Sequence, residues 1–326
     1  MTSLCKTSLC ETSLCETSLS DFVRDHYAPT YWYGRVSVST IKNYLTSVER
    51  YMEIVGDVPL KELTPVNNSK FLLGLRKLEQ AVDTELKHCR HMNAIFFKLG
   101  PPGPRNRDAL GWFPSPPYIR PPQSYKRLPR DIADSAVDSL YYTTDFCDGC
   151  QKYPGYLDPA LRNQWWKAFI LLITNTAVRI NVALNWRWAH IEPGFKYLIV
   201  PPEIDKKRRE RRKPLNPHVL QALRTVQGCQ SLFPNEEKLL PWTHGKKCFY
   251  DTWHELNETA GITPHIMPHD LKRYSLQLAC RSGVDAATLQ ALGDHASLKT
   301  TMDHYVNGNL FEYALSVRLP GMGGAQ

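Results

Sequence analysis

The chain has 326 residues and a formal net charge of +8, with 42% hydrophobic and 22% charged residues. This composition is typical of globular proteins and excludes a wholly disordered chain, and the length is sufficient for two domains. The longest apolar run, Ala168 to Ile173, is too short to span a membrane, and the N-terminus lacks the layout of a secretory signal. We therefore expect a chain that stays in a reducing compartment.

The nine cysteines form an odd set, which argues against a complete disulfide framework. Residues 2–20 repeat a five-residue TSLC(K/E) unit whose period matches neither a helix nor a strand, and this predicts a disordered tail over 1–19. A metal or redox arm of Cys5, Cys10 and Cys15 is the alternative, but it lacks histidines and CxxC spacing. Cys147 and Cys150 form an isolated CxxC, which favours two unrelated thiols over a zinc site.

Residues 20–100 predict a small all-α domain. The first helix opens at Ser39 as N-cap and ends before Gly56, and its apolar residues recur at spacings of three and four: Ile41, Tyr44, Leu45, Val48, Tyr51 and Val55. Thr64-Pro65 is the cap and first residue of a second helix. A third runs over 81–99, with His88 and His91 expected to face outward and not to bind a metal.

Residues 101–127 predict a semi-rigid linker between domains. Eight prolines fall between positions 101 and 122. Proline fixes φ and lacks an N–H group, so neither a helix nor a central strand is expected here.

Residues 128–319 predict a second domain that is mainly α with a small β-sheet. A β-type run, Tyr197 to Pro201, precedes the basic run Lys206 to Lys213, in which seven of eight residues are Lys or Arg. Helical patterns cover Trp165–Ile173, Phe249–Ala260, Pro268–Arg281, Asp285–Leu292 and Leu298–Tyr305. An amphipathic piece at 309–319 precedes a flexible end at 320–326. The predicted fold class is α+β for this domain.

Three stretches of the second domain resemble the tyrosine recombinase (phage integrase) family. Residues 176–192 (TAVRINVALNWRWAHIE) are similar to its arginine box, T-G-x-R-x-x-E-x-x-x-L-x-W, and residues 269–305 to its H-x-L-R…L-G-H…Y box. The basic run before Pro214-Leu215 occupies the place of the family's lysine hairpin. The first domain resembles the helical core-binding (SAM-like) module, so the resemblance implies a two-domain DNA clamp.

The resemblance implies a catalytic role for six residues: Tyr305 as nucleophile, Arg179 and His295 as phosphate ligands, Lys206 as general acid, with His269 and Lys272. It also implies DNA-binding roles for Lys207, Arg208, Arg209, Arg211, Arg212, Lys213 and Arg273. Guanidinium groups suit the charge that develops on a phosphodiester under attack, and a phenol can form a phosphotyrosyl bond that conserves its energy. Neither ATP nor a metal or other cofactor is expected.

The sequence departs from the family pattern at four positions. Lys272 replaces the second arginine, and because a helix turns about 100° per residue, the neighbouring Arg273 faces elsewhere. Asp294 is inserted into L-G-H, giving L-G-D-H before His295. Ala177 and Val182 replace the usual Gly and Glu of the arginine box.

The resemblance implies a site-specific recombinase that binds double-stranded DNA as a homotetramer on paired sites, with accessory DNA-bending proteins as further partners. The departures keep an alternative open, a catalytically impaired DNA-binding protein that occupies recombination sites. A relaxing topoisomerase is a third interpretation. A location with the bacterial nucleoid in the cytoplasm is expected, and a nuclear one stays open.

Overall fold

The computed structural model describes residues 16–125, 130–227, 237–295 and 297. The chain separates into two compact units, 1–126 and 127–326, each with its own hydrophobic core. Within the described ranges, no helix combines the length and apolar character that crossing a membrane requires. The repeat up to residue 15, the predicted helix Leu298–Tyr305 and the segments 309–319 and 320–326 lie outside the described residues.

The first unit is built from helices: α1 Leu19–Asp21, a π-helix Phe22–Trp32, α2 Val38–Val55, a 3-10 turn Leu60–Glu62, α3 Pro65–Lys77 and α4 Val82–Phe97. Thr64 caps α3 by accepting from the Asn67 N–H group at 3.3 Å, as its sequence predicts. The N-cap of α2 is Ser37 and not Ser39, because Ser37 has the extended backbone that places its hydroxyl 3.2 Å from the Thr40 N–H group.

The core of the first unit forms where α2, α3 and α4 meet the π-helix. Large buried side chains fill it, among them Phe22, Tyr51, Phe71, Met92 and Phe96. The expectation that His88 and His91 face outward is wrong for His88, which is 3% exposed. Both imidazoles lie within hydrogen-bond distance of the Ser47 hydroxyl, at 2.9 and 2.8 Å, so the buried His88 has an internal polar partner and the half-buried His91 shares it.

The proline-rich segment is not a free spacer. Its described part, up to residue 125, combines extended backbone with turns and packs on the core of the first unit through Leu110, Trp112, Phe113 and Ile119. The Asn93 side chain accepts from the Ile119 N–H group at 2.8 Å and donates to the Ile119 carbonyl at 2.7 Å. Apolar residues between the prolines cover the core of the first unit. The segment up to residue 125 is therefore part of that unit and not a linker, an outcome that the number of prolines did not indicate.

The second unit contains helices around one short hairpin: α5 Asp134–Thr143, α6 Asp148–Lys152, α7 Pro159–Thr176, α8 Ile180–Ala183, a 3-10 turn Trp188–His190, β1 Tyr197–Val200, β2 Arg211–Pro214, α9 Pro217–Gln227, α10 Lys246–Thr259, α11 Pro268–Arg281 and α12 Ala286–Gly293. Helix α7 is central and packs against α6, α9 and α11. Its rings Trp165, Trp166 and Phe169 pack edge-to-face or tilted against Phe249 and Trp253 of α10. This aromatic core is the rigid support of the second unit.

The two strands form an antiparallel pair in which Leu198 lies opposite Lys213 and Val200 opposite Arg211. Residues opposite each other in such a pair share a face of the sheet. Leu198 and Val200 are buried, so Lys213 and Arg211 point inward with them, whereas Arg212 points outward. The pairing register therefore divides the basic run between the interior and the surface.

Packing of α3 on α2 can be tested at Gly74. A Cβ atom there would lie 2.3 Å from Cγ2 of Ile54. Alanine gains about 1 kcal/mol of helix propensity, but overpacking of this severity costs more, so Gly74→Ala is expected to lower the unfolding free energy by about 1–2 kcal/mol in urea denaturation. Gly103 has open space around its Cβ position, and Gly103→Ala should change it by less than about 0.5 kcal/mol. Equal effects would contradict the packing.

Candidate active site

Arg179 lies at the junction of α7 and α8. Ala177 ends α7 in the left-handed conformation, with φ of 51°, and Arg179 is the N-cap residue of α8. The family pattern has glycine at position 177, a residue that adopts positive φ without steric cost. Here Leu276 and Leu292 pack on the Ala177 methyl group and hold the strained turn.

The Arg179 guanidinium is half-buried and makes no hydrogen bond or ion pair to any described residue. Its positive charge contributes to lowering the pKa values of His269, Lys272 and Lys213. A fixed guanidinium near several other cations provides an electrostatic site for an anion, and its planar fork suits phosphate oxygens.

Lys213 lies inside the protein, at 1% exposure. The prediction that it contacts DNA is therefore wrong. Its ammonium group donates to the Leu292 carbonyl at 2.5 Å and to the Asp294 carboxylate at 2.7 Å. The carbonyl groups at the C-terminus of α12 are free to accept, and the negative end of the helix dipole favours a cation there. The residue therefore joins the hairpin to α12.

Arg211 also points inward and pairs with two acids. It forms an ion pair with buried Asp205 and another, at 2.6 Å, with Asp294. Its side chain is 18% exposed, so most of the group is withdrawn from the surface where the sequence placed it. Asp205 in turn accepts from the Arg208 N–H group through its carbonyl, at 3.0 Å, which fixes the turn of the hairpin.

Five basic residues of the run are exposed: Lys206, Lys207, Arg208, Arg209 and Arg212. Lys206 makes no hydrogen bond or ion pair to a described residue. Lys207 donates to the Asp294 carbonyl at 2.6 Å. Arg212 donates twice to Glu192, once at 2.6 Å, and lies over the Tyr197 ring. Lys206 is thus the terminal amine of this run that is not held by such a contact.

Lys272 on α11 points into the unit and is 3% exposed. Its ammonium group donates to the Gly293 carbonyl at 2.8 Å and lies 4.0 Å from the Asp294 carboxylate. Burial lowers its pKa to about 7, with the charges of Arg179, Lys213 and Arg211 acting in the same direction and Asp294 opposing them. The neighbouring Arg273 instead pairs with Asp270 of its own helix at 3.2 Å.

His269 follows Pro268 in the first turn of α11. Partial burial and then the charges of Lys272, Arg273 and Arg179 lower the pKa of its imidazole, against a smaller opposing effect of Asp270. The neutral imidazole is therefore favoured at neutral pH, and a neutral imidazole can accept a proton or donate one hydrogen bond.

His295 follows α12 directly. Its backbone N–H group donates to the Gln290 backbone carbonyl at 3.1 Å, and its backbone carbonyl accepts from the Gln290 side-chain amide at 3.2 Å. The ring lies against Gly293, where a Cβ atom would be 3.0 Å from Cε1 of His295. Glycine in L-G-D-H therefore provides the space for this ring. Tyr305, the predicted nucleophile, lies outside the described residues.

Asp294 is the site residue that the sequence did not identify as functional. It ends α12 in the left-handed conformation, with φ of 59°, which aspartate tolerates better than most residues. Its side chain is 5% exposed and contacts Lys213 and Arg211 directly. The signal in the sequence was the extra residue in L-G-D-H, but its partners are distant in the chain and could not be assigned.

Cys147 and Cys150 are both buried, at the start of the short helix α6. Across the described residues, no group of three or more His, Cys, Asp and Glu side chains is arranged to hold a metal ion. The two thiols interact with each other, and the hydrogen bond from Cys150 contributes most to lowering the pKa of Cys147.

Comparison with known proteins places these residues in a family. Residues 156–310 match the family described as phage integrase family. The tyrosine recombinase XerD of Mycobacterium tuberculosis is 23% identical over 286 residues, which cover 82% of this chain and 86% of the relative. The tyrosine recombinase XerC of Chlamydia caviae is 28% identical over 196 residues, 56% of each chain.

Solved structures agree with this at the level of the fold. A lambda integrase dimer bound to a COC′ core site superposes with a TM-score of 0.65 at 16% identity, over 97% of this chain and 83% of that one. The XerH site-specific recombinase bound to palindromic difH substrate, a post-cleavage complex, gives a TM-score of 0.66 at 16% identity, over 86% of this chain and 80% of that one. The mostly helical fold with its two-stranded sheet is thus that of integrases and Xer recombinases. Residues 156–310 are therefore a domain of the phage integrase family, and the chain resembles the tyrosine recombinases, which are enzymes that cleave and rejoin DNA strands.

The burial of Lys272 has a consequence for stability. Its pKa is about 7 in the folded protein but about 10.4 in an unfolded chain, so between these values the unfolded state binds more protons and stability rises with pH. Lys272→Met removes this contribution. Between about pH 7.5 and pH 9 the wild type should gain about 1–2 kcal/mol more unfolding free energy than the variant, measured by urea denaturation. Equal gains would show that the Lys272 amine titrates as an exposed lysine does.

Proposed function

We propose that this chain is a site-specific DNA recombinase that cuts and rejoins one strand at a time through a 3′-phosphotyrosyl bond to Tyr305. The observation that supports it most is that the Arg179 guanidinium has no described partner and lies close enough to Lys272 and Lys213 to lower the pKa of each amine. Positive charges this close together destabilise the folded protein unless an anion binds among them. A scissile phosphate is the anion that this family's chemistry supplies.

Arg179 would bind two non-bridging oxygens of the phosphate, and Lys272 would add a point charge. Both groups stabilise the five-coordinate transition state, in which negative charge on these oxygens increases. Lysine has three donors but lacks the planar fork of arginine, so Lys272 positions the phosphate less strictly than arginine would. His295 would complete the ring of donors.

In the cleavage step, the Tyr305 phenol oxygen forms a bond to phosphorus as the bond from phosphorus to the 5′-oxygen breaks. The phenol proton passes to the neutral imidazole of His269, and Lys206 gives a proton to the departing 5′-oxygen. In the joining step, the 5′-hydroxyl of another strand attacks the phosphotyrosyl bond and these proton transfers reverse. The phosphodiester bond energy is conserved, so neither ATP nor a metal is required.

DNA binding would use the exposed side of the basic run. Phosphate contacts from Lys207, Arg208, Arg209 and Arg212 give affinity without base specificity. Lambda integrase has been solved as a DNA-bound dimer and as a tetramer on a Holliday junction, and a homotetramer on paired sites is our proposal for this chain. Accessory DNA-bending proteins and a cytoplasmic location beside the nucleoid remain expectations from the bacterial relatives.

The nucleophile can be tested without knowing the target site. A pool of nicked duplexes with randomised sequence traps covalent complexes, because the short strand released beside the nick diffuses away and cannot be rejoined. The wild-type protein is expected to retain DNA under denaturing conditions, and sequencing that DNA gives the site. Tyr305→Phe should abolish the adduct, whereas Tyr313→Phe should leave it intact.

Retention of one sequence by wild type under native conditions, with no adduct after denaturation, would contradict the catalytic proposal. That result would favour the alternative, a DNA-binding protein of the same fold that occupies recombination sites.

The general acid can be tested with the site recovered in that way. Lys206→Ala is expected to slow cleavage of the ordinary strand by about 10²–10⁴-fold. Sulfur in place of the 5′-bridging oxygen leaves as a thiolate that needs no proton, so on this substrate the loss should fall below about tenfold. Lys207→Ala is the matched control and should slow both substrates equally. Equal losses with Lys206→Ala would assign the proton to another group.

A further inference from the structure

Two departures from the family pattern meet at one point of the structure. Lys272 replaces an arginine, and Asp294 is an inserted residue; their charged groups lie 4.0 Å apart. A third departure concerns the same charge balance, since Val182 stands where the arginine box has a glutamate. Val182 is buried and apolar, so the arginine box contributes no carboxylate at that position. Among the described acids, Asp294 is the one placed to supply the negative charge that this glutamate would carry.

Two basic side chains of the hairpin contact the Asp294 carboxylate. One oxygen lies 2.7 Å from the Lys213 amine and 2.6 Å from the Arg211 guanidinium, and the other faces Lys272. The Asp294 backbone carbonyl accepts from Lys207 at 2.6 Å. Asp294 thus connects the hairpin, α11 and the end of α12, which carry the predicted site residues.

The charge around this carboxylate is strongly unbalanced. The charged and titratable groups that face the cluster from the hairpin, α8, α11 and α12 are Arg179, Asp205, Lys207, Arg211, Lys213, His269, Lys272, Asp294 and His295. Among them Asp205 pairs with Arg211. Asp294 is therefore the described acid that offsets the two buried lysines, and both would lose protons more readily without it.

The Lys272 amine has donors left for a ligand. An ammonium group has three N–H donors, and the Gly293 carbonyl uses one of them at 2.8 Å. Asp294 lies too far away for a hydrogen bond but close enough for a strong charge interaction in the interior. The arrangement favours the charged form of the amine without using its remaining donors.

We propose that Asp294 is a positioning residue whose carboxylate, anchored by Lys213 and Arg211, favours the charged form of Lys272 and orients it so that it serves in place of the arginine. This inference rests on the proposed recombinase function. It explains why the substitution of lysine for arginine occurs together with an inserted acid: a guanidinium stays charged when buried, whereas a buried amine needs a counter-charge.

The test compares Asp294→Asn, Lys272→Arg and the double variant in the full chain. Asparagine has the size of aspartate and tolerates the left-handed conformation, so the variant removes mainly the charge. Asp251→Asn is the control, because Asp251 is exposed and its ion-pair partner among the described residues is Lys247 on α10. If Asp294→Asn does not fold, adding Lys213→Met removes the buried cation left without its partner.

Two measurements decide the inference. Lysine-selective ¹³Cε NMR, with Lys272→Arg to assign the resonance, follows the Lys272 amine directly. In Asp294→Asn its titration midpoint should fall by about one pH unit or more, with no change in Asp251→Asn. Adduct formation on the recovered site should fall at least about tenfold at pH 8 and recover toward pH 6, and Lys272→Arg should restore the activity at pH 8.

An unchanged Lys272 titration would overturn the inference, whatever the activity. So would a loss of adduct that is equal at every pH and is not rescued by Lys272→Arg, since that indicates a purely structural role for Asp294. A wild-type protein that forms no adduct would instead contradict the proposed function, and the NMR titration would then decide whether Asp294 holds the Lys272 charge.

Discussion

The second unit depends on one electrostatic constraint, the gathering of many positive charges in a small volume. Lys213 and Lys272 are almost fully buried, and Arg179 lies close enough to lower the pKa values of both. Like charges at this distance repel and burial disfavours each of them, so the folded state needs a counter-charge. The Asp294 carboxylate supplies it, at 2.7 Å from the Lys213 amine. An anionic ligand would supply more counter-charge, and this is the reason for our proposal that the site binds one.

The hydrophobic core gives this charged site its rigidity. Helix α7 buries Trp165, Trp166 and Phe169 against α10, and its left-handed end at Ala177 leads directly to Arg179. Helix α11 presents His269 and Lys272 from its first turn and a half, and α12 ends at Asp294. The functional side chains come from element ends, where free backbone groups and abrupt changes of direction position polar residues. Packing of the helices thus fixes the backbone positions of the charged side chains.

Local patterns predicted the elements well, because their causes lie within a few residues. The Thr64-Pro65 cap, the end of α2 at Gly56 and the helix Pro268–Arg281 follow from cap chemistry and from apolar spacing. Long-range partners could not be predicted in this way. Lys213 read as a surface charge because its inward direction depends on the pairing with Leu198, fifteen residues earlier. The contacts of His88 with Ser47 and of Ile119 with Asn93 join residues still farther apart in the sequence. Family resemblance located Arg179, Lys272 and His295, but the role of Asp294 emerged only from its contacts.

The claim on which the account rests is that Tyr305 becomes covalently joined to DNA. Mass spectrometry of the trapped complex, digested with nuclease and trypsin, measures this directly. Cleavage after Lys299 and Arg318 releases a peptide that holds both Tyr305 and Tyr313, and fragmentation distinguishes the two. We expect the added mass of a 3′-linked nucleotide on Tyr305 and none on Tyr313. The same mass on Tyr313, on a serine or on no residue of the chain would contradict it.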